Sequence, residues 1–180
     1  NTGCGGEEAH SAVAWEDTGG GKAHSAPLRE WCVLEGFYDE LFMLSAKHRS
    51  LVALTVNEGD QRFANRIQRI LGDLHVALDL GGSHAIAMAT GYALAGKIPL
   101  LIGSAHGLFE RGFSSFRELV VQSGLNIKIV GVADSKEFSP VGFLKNFPTV
   151  SFLAPHTYDE TRSMLASMMN RHGPACLYCE

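Results

Sequence analysis

A chain of 180 residues, 46% hydrophobic and 19% charged, is sized for one globular domain with a buried core. A net charge of −4 without a basic face argues against nucleic acid as a partner. No apolar run reaches the ~18 residues of a membrane span, which argues against a membrane partner. Residues 1–27 are rich in Gly, Ala, Ser, Glu and His, with only Val13 and Trp15 as sizeable apolar groups. Such a segment cannot bury enough surface to offset its ordering entropy, so it reads as a disordered tail before one domain over 28–180. The start, Asn1-Thr2-Gly3-Cys4, has neither Met nor an apolar signal segment, and the first residue is expected to be a cut end of a longer or processed chain.

The elements follow in order. From Leu28 to Lys47, Trp31, Leu34, Phe37, Tyr38, Leu41 and Met43 recur at helical spacing. Leu51 to Val56 is a short β-branched apolar run, a buried strand. Asp60 to Leu71 is a helix with Phe63, Ile67 and Ile70 on one face, and Leu74 to Leu80 a second strand. Ser83 is placed to cap a helix through Ala95 that Gly96 stops. Ile98 to Ile102 is a third strand, Phe109 to Gln122 a helix, and Asn126 to Val132 a fourth strand. After a polar loop come a strand at Val150 to Leu153, a helix at Tyr158 to Asn170 and a strand at Ala175 to Tyr178. Strands alternating with helices imply βαβ crossovers. The expected fold is α/β, a three-layer sandwich around a mostly parallel sheet of five or six strands. Runs apolar on both faces fit a sheet covered on both sides.

Ligands in such sheets lie beyond the C-terminal strand ends. Three segments there are candidates: Asn57-Glu58-Gly59, Gly81-Gly82-Ser83-His84 and Gly103-Ser104-Ala105-His106-Gly107. Histidine as a residue type suits proton transfer near neutral pH, so His84 is a candidate proton carrier, or else it caps a helix or packs at the sheet edge. His106 sits in a Gly-rich loop suited to a ligand contact, and Glu58 is a strand-end acid or a solvated one. Gly81-Gly82 is not a phosphate loop. No metal site is expected: His10 and His24 lie in the tail, and Cys176-Leu-Tyr-Cys179 has no second ligand pair and falls in a strand, where no helix start stabilises a thiolate. Four cysteines without a disulfide framework point to a reducing compartment, the cytoplasm.

The stretches Gly91-Tyr-Ala-Leu-Ala-Gly-Lys-Ile-Pro99, Arg111-Gly-Phe-Ser-Ser-Phe-Arg117 and Leu125-Asn-Ile-Lys-Ile-Val130 resemble the middle, pyrimidine-binding domain of the transketolase family, most of all its separate C-terminal half-subunits. The family pattern runs Gly-Leu-Ala-Leu-Ala-Gly-Lys-Ile-Pro, Arg-Ala-Trp-Glu-Gln-Ile-Arg and Leu-Asn-Val-Lys-Ile-Val. The likeness resumes at Phe147-Pro-Thr-Val-Ser-Phe-Leu-Ala-Pro155 and Glu160-Thr-Arg162, and ends at Gly173-Pro-Ala-Cys-Leu-Tyr178. The resemblance implies thiamine diphosphate as cofactor, with any Mg²⁺ held by a partner chain. It places Gly82, Ser83, His106, Phe109, Arg111 and Phe113 around that cofactor. In the family a Glu, in Gly-Ile-Ala-Glu-Gln-Asn, holds the proton on the pyrimidine nitrogen. The matching run here is Asp79-Leu-Gly-Gly-Ser-His84, which puts Gly82 at the Glu position. The family's stacking aromatics match Ser104 to Gly107, with only Phe109 close by. Its Asp-Leu after the first strand is Asn57-Glu58, and its His-bearing loop is a shorter one, Asp134 to Phe143, without that His.

Two functions follow. One is a degenerate, non-catalytic domain kept for assembly with a partner. The other is an active half-subunit that transfers two-carbon ketol units, completed by a separate diphosphate-binding chain and using His84 or Glu58 in place of the Glu. Either implies a homodimer or hetero-complex, through helices near Ser83 to Ala95 and Phe109 to Gln122. Arg111 and Arg117 match family arginines and are either interface groups or helix-surface charge, and Met164, Met168 and Met169 are core.

Overall fold

In the computed structural model the described residues are 28–56, 61–133 and 138–180, with the side chains of 28–32, 61, 62 and 143 left aside. The tail reading for 1–27 and the candidate Glu58 lie outside the described residues. Six strands are present: β1 Leu51–Val56, β2 His75–Leu78, β3 Ile98–Ser104, β4 Lys128–Val132, β5 Ser151–Leu153 and β6 Ala175–Cys179. They form one sheet in the order β2-β1-β3-β4-β6-β5, and every neighbouring pair is parallel. The fold is the expected three-layer α/β sandwich.

Alternation along each strand divides the core. Leu51, Ala53, Leu100, Ile102, Val130, Leu177 and Cys179 face helices α1 (Leu28–Lys47), α2 (Gln61–Leu71) and α6 (Tyr158–Asn170). Leu54, Leu101, Ile129, Cys176 and Tyr178 face α3 (Gly82–Leu94) and a helical segment, α4, over 106–121. Adjacent residues thus serve opposite layers, which is the two-residue period of a strand buried on both sides.

Sequence signals account for the helix ends. The Thr157 side chain accepts from Glu160 N at 3.3 Å, and Glu160 reaches back to His156 N at 2.8 Å, a reciprocal cap that starts α6. Gly96 stops α3 with φ +79°, a conformation that costs glycine least. Helix α1 is fixed by side chains: Glu35 forks onto Arg66, whose guanidinium lies 3.9 Å from the Tyr38 ring centre. Asp39 accepts from Tyr158 Oη at 2.7 Å, and buried Glu40 from Arg162 Nε at 3.2 Å.

Three expectations need correction. The cap of α3 is Gly81 with no side-chain cap bond; Ser83 lies inside the first turn and is not the cap. The helix expected from Phe109 starts three residues earlier and is not a plain α-helix. It has a π turn at His106–Arg111, an α turn at Phe113–Ser115 and a second π turn at Phe116–Val121. The wide turns are closed by Gly112 N to Gly107 O and Gln122 N to Arg117 O, both 3.1 Å. The polar loop also contains a short helix, α5, at Val141–Leu144.

Candidate functional site

The chain runs from β1 to β2 in one direction and from β2 back past β1 to β3 in the other. Helices α2 and α3 are therefore on opposite faces, and the C-terminal ends of β1 and β3 mark the point where the chain reverses direction, the place at which ligands of such sheets bind. The first turns of α3 and α4 border it. Ser104 ends β3, and its Oγ accepts from Gly107 N at 2.9 Å, which starts α4 immediately beyond the strand. Gly82 opens α3 and is buried against that start. A Cβ at Gly82 would lie 2.1 Å from the Gly107 carbonyl oxygen and 3.3 Å from Leu108 Cα. Gly82 is thus required by close approach of main chain to main chain; it is not among the positive-φ glycines. Ser83 Oγ donates across the same seam to Arg111 O at 3.5 Å.

The candidate residues separate around this seam. His84 projects from α3 into solvent. His106 Nδ1 meets Glu110 Oε2 at 2.8 Å one helical turn on, and its ring stands edge-on to Phe138 at 5.7 Å. Phe109 is buried and faces inward over Gly131, with Phe116 edge-on at 5.6 Å. Its ring is part of the core. Phe113 is partly exposed and tilted against Phe147 at 6.2 Å. Arg111 is exposed, and Arg117 makes a long contact of 3.5 Å with Glu118 on the surface. Phe109, Glu110, Phe113 and Phe138 line a cleft of about 360 Å³. The structure thus brings Gly82, Ser83 and Arg111 to the seam, and Phe109 and Phe113 to the cleft, with His106 held against Glu110 and Phe138.

Cys176 and Cys179 are buried on opposite faces of the sheet, as two residues an odd number apart in a strand must be. Burial pushes both thiols up, Cys179 to about 12, so neither is a thiolate near neutral pH. Among the described residues no three His, Cys, Asp or Glu side chains come together as a metal site, and no helix is long and apolar enough to cross a membrane.

Two buried polar groups escaped the reading of the sequence. Lys128, in β4, donates to Arg171 O and Gly173 O, each at 2.7 Å, and pins the turn before β6. Burial, reinforced by nearby Arg171, brings its pKa down to about 8. A lysine within Ile127-Lys-Ile-Val130 was the available signal. His75 opens β2 between Gln68 and Thr55. Gln68 gives its amide nitrogen to Gly72 O, so its oxygen faces His75 Nδ1 at 2.6 Å, and Nε2 is left to accept from the Thr55 hydroxyl at 2.7 Å. Burial lowers the His75 pKa, which favours this neutral form.

The parallel six-stranded sheet and its covering helices form an α/β fold that solved thiamine diphosphate-dependent enzymes share. A split-gene transketolase described as an inactive β4 tetramer superposes with a TM-score of 0.72 at 17% identity, over 81% of this chain and 50% of that one. A thiamin diphosphate-dependent enzyme assigned to Mycobacterium smegmatis gives 0.61 at 14% identity, over 78% and 30%. Benzoylformate decarboxylase from Polynucleobacter necessarius gives 0.59 at 14% identity, over 79% and 32%. The chain spans half or less of the length of each. No family model matches the sequence, and no curated protein matches it.

Proposed function

We propose that this chain is a degenerate, transketolase-like pyrimidine-binding domain that keeps the fold for assembly with a partner and is not catalytic on its own. The observation that carries the reading is the seam at Gly82. The resemblance puts the proton-holding Glu at this position, and here the Gly107 carbonyl occupies the place of any side chain. The Ser104 to Gly107 stretch, matched to the stacking aromatics, has as its one ring the His106 imidazole, which is held against Glu110 and edge-on to Phe138, and nearby Phe109 is buried in the core. An aminopyrimidine held by a carboxylate and a stacked ring would find neither partner. The residues present do not fit that group as the family holds it.

An active half-subunit, completed by a separate chain that holds the diphosphate and Mg²⁺, is the second reading. It is favoured by the likeness to half the length of a split-gene transketolase. That neighbour's tetramer also supports assembly of this chain as a homodimer or hetero-complex. Helix α3 presents Ala87, Gly91 and Leu94 to solvent, a surface another helix can approach closely. Cys176 and Cys179 are free thiols, and this reading puts the chain in the cytoplasm. Calorimetry with thiamine diphosphate and Mg²⁺, on the chain alone and with any co-purifying partner, separates the two. The degenerate reading expects no saturable heat and no deuterium exchange at the thiazolium carbon above that of free cofactor. Saturable binding with accelerated exchange overturns it and points to His84 or Glu58 as the substitute acid.

A further inference from the structure

The Gly82 seam lies beyond the C-terminal ends of the strands. At the opposite end of the sheet, cations far apart in the sequence come together. Ile98 N donates to Ser50 O at 2.8 Å, which sets the start of β3 beside the start of β1. Arg49 and Lys97 each stand one residue before this bonded pair, and Lys47 ends α1 just ahead of them. All three are exposed, and among the described residues none of them makes an ion pair. Farther along the same edge Arg171 precedes β6. Strands stand ~4.8 Å apart, so the row from β1 to β6 spans ~14 Å. Among the described residues, Asp73 is the only acid in the connections that lead from a helix into a strand. The pull of a helix C-terminus on a cation accounts for Lys47 and for Arg171, which caps α6. It does not account for Arg49 and Lys97, which lie past the helix ends. Apolar groups flank these cations. Leu94, the last residue of α3, is 72% exposed, and Phe42 and Met43 on α1 are 62% and 45% exposed. Large apolar side chains left in water beside unpaired cations mark a surface that a partner covers.

We infer that this edge docks an acidic segment of a partner polypeptide, one that carries apolar side chains among its carboxylates. The cations select the charge, and the apolar groups select the kind of chain. A phosphate backbone has nothing to place on Met43 and Leu94, and a long one would run past the row onto a molecule of net charge −4. A flat lipid surface resting on this edge would leave Phe42 and Met43 uncovered, because they stand about one turn back from the end of α1. A polypeptide can bend round that end. The inference does not rest on the reading of the Gly82 seam, which is at the other end of the strands.

The test uses the full chain and three probes at low ionic strength: a glutamate-rich peptide with interspersed leucines, an oligothymidylate, and phosphatidylserine vesicles. The peptide is expected to saturate with a submillimolar Kd, to weaken with added salt, and to shift backbone amides at 42–49 and 94–98. Arg49→Glu combined with Lys97→Glu, both on exposed side chains, is expected to weaken the peptide at least about tenfold. Leu94→Ser is expected to weaken it about threefold and leave its salt dependence unchanged. No saturation by about 1 mM, amide shifts confined to other surfaces, variants that bind as before, or tighter binding of the oligonucleotide or the vesicles each overturns the inference.

Discussion

Gly82 shows how one residue can be dictated by main chain alone. Its backbone angles admit any amino acid, yet a single added carbon would meet the Gly107 carbonyl oxygen at 2.1 Å, so the helix start or the π turn must move. Gly82→Ala is therefore expected to destabilise the fold by about 3 kcal/mol in urea unfolding, at the upper end of overpacking costs. Gly81 has nothing within 4 Å of the equivalent carbon, and Gly81→Ala at the cap is expected to cost less than about 1 kcal/mol. Equal losses in the two variants would mean that the seam is not the constraint. The same geometry makes Gly82→Glu a poor route to restored chemistry, because the side chain breaks the seam before it reaches a ligand.

At the scale of elements, glycine acts in two opposite ways. In α1, Gly36 lies against α6, where an added carbon would come within 2.6 Å of the Tyr158 carbonyl oxygen. In α3, Gly91 has no neighbour within 4 Å and a non-positive φ. Gly36→Ala is expected to lose about 2 kcal/mol by forcing the two helices apart. Gly91→Ala is expected to gain about 0.5–1 kcal/mol, the ordinary preference for alanine within a helix. Thermal unfolding of the two variants reads both signs, and sedimentation of Gly91→Ala reads whether this face of α3 also meets a partner. Strand positions were legible in the sequence because buried parallel strands are short apolar runs between turn signals, and all six fall within about two residues of where the pattern puts them. The π turns of α4 were not legible, because Leu108, Phe109, Phe116 and Val120 satisfy an apolar helical face without revealing how widely the backbone winds. The replacement of an acid by Gly82 was visible in the sequence. The carbonyl packed on it was not, since it arrives from the far side of β3. His106 was visible as a loop histidine, but its partner Glu110 and the facing Phe138 carried no local signal.

Over the whole molecule the buried ionisable groups set the response to alkali. Lys128 has a folded pKa of about 8, below its unfolded value, so between about pH 8 and 10 the unfolded chain holds one proton more and stability rises with pH. Cys176 and Cys179 have folded pKa values above the unfolded thiol near ~8.5, so above that pH the folded chain holds two protons more and stability falls. Two outweigh one. Among these groups stability is expected to be nearly level from about pH 8 to 9, then to fall by about 1.4 kcal/mol per unit. Urea midpoints across pH 7–10 check this, and Cys179→Ala should flatten the decline; a continued rise past pH 9 would contradict the assignment. The sheet order has a consequence of another kind. β6 follows β5 in the chain yet lies between β4 and β5, and among the described residues β5 pairs with β6 alone. As the polypeptide leaves the ribosome, β5 has no neighbour to hydrogen-bond until residues 175–179 have emerged and slid into place beside β4. For that interval a four-stranded sheet exposes the edge of β4, and a nascent chain stalled before residue 175 offers that edge to any passing strand.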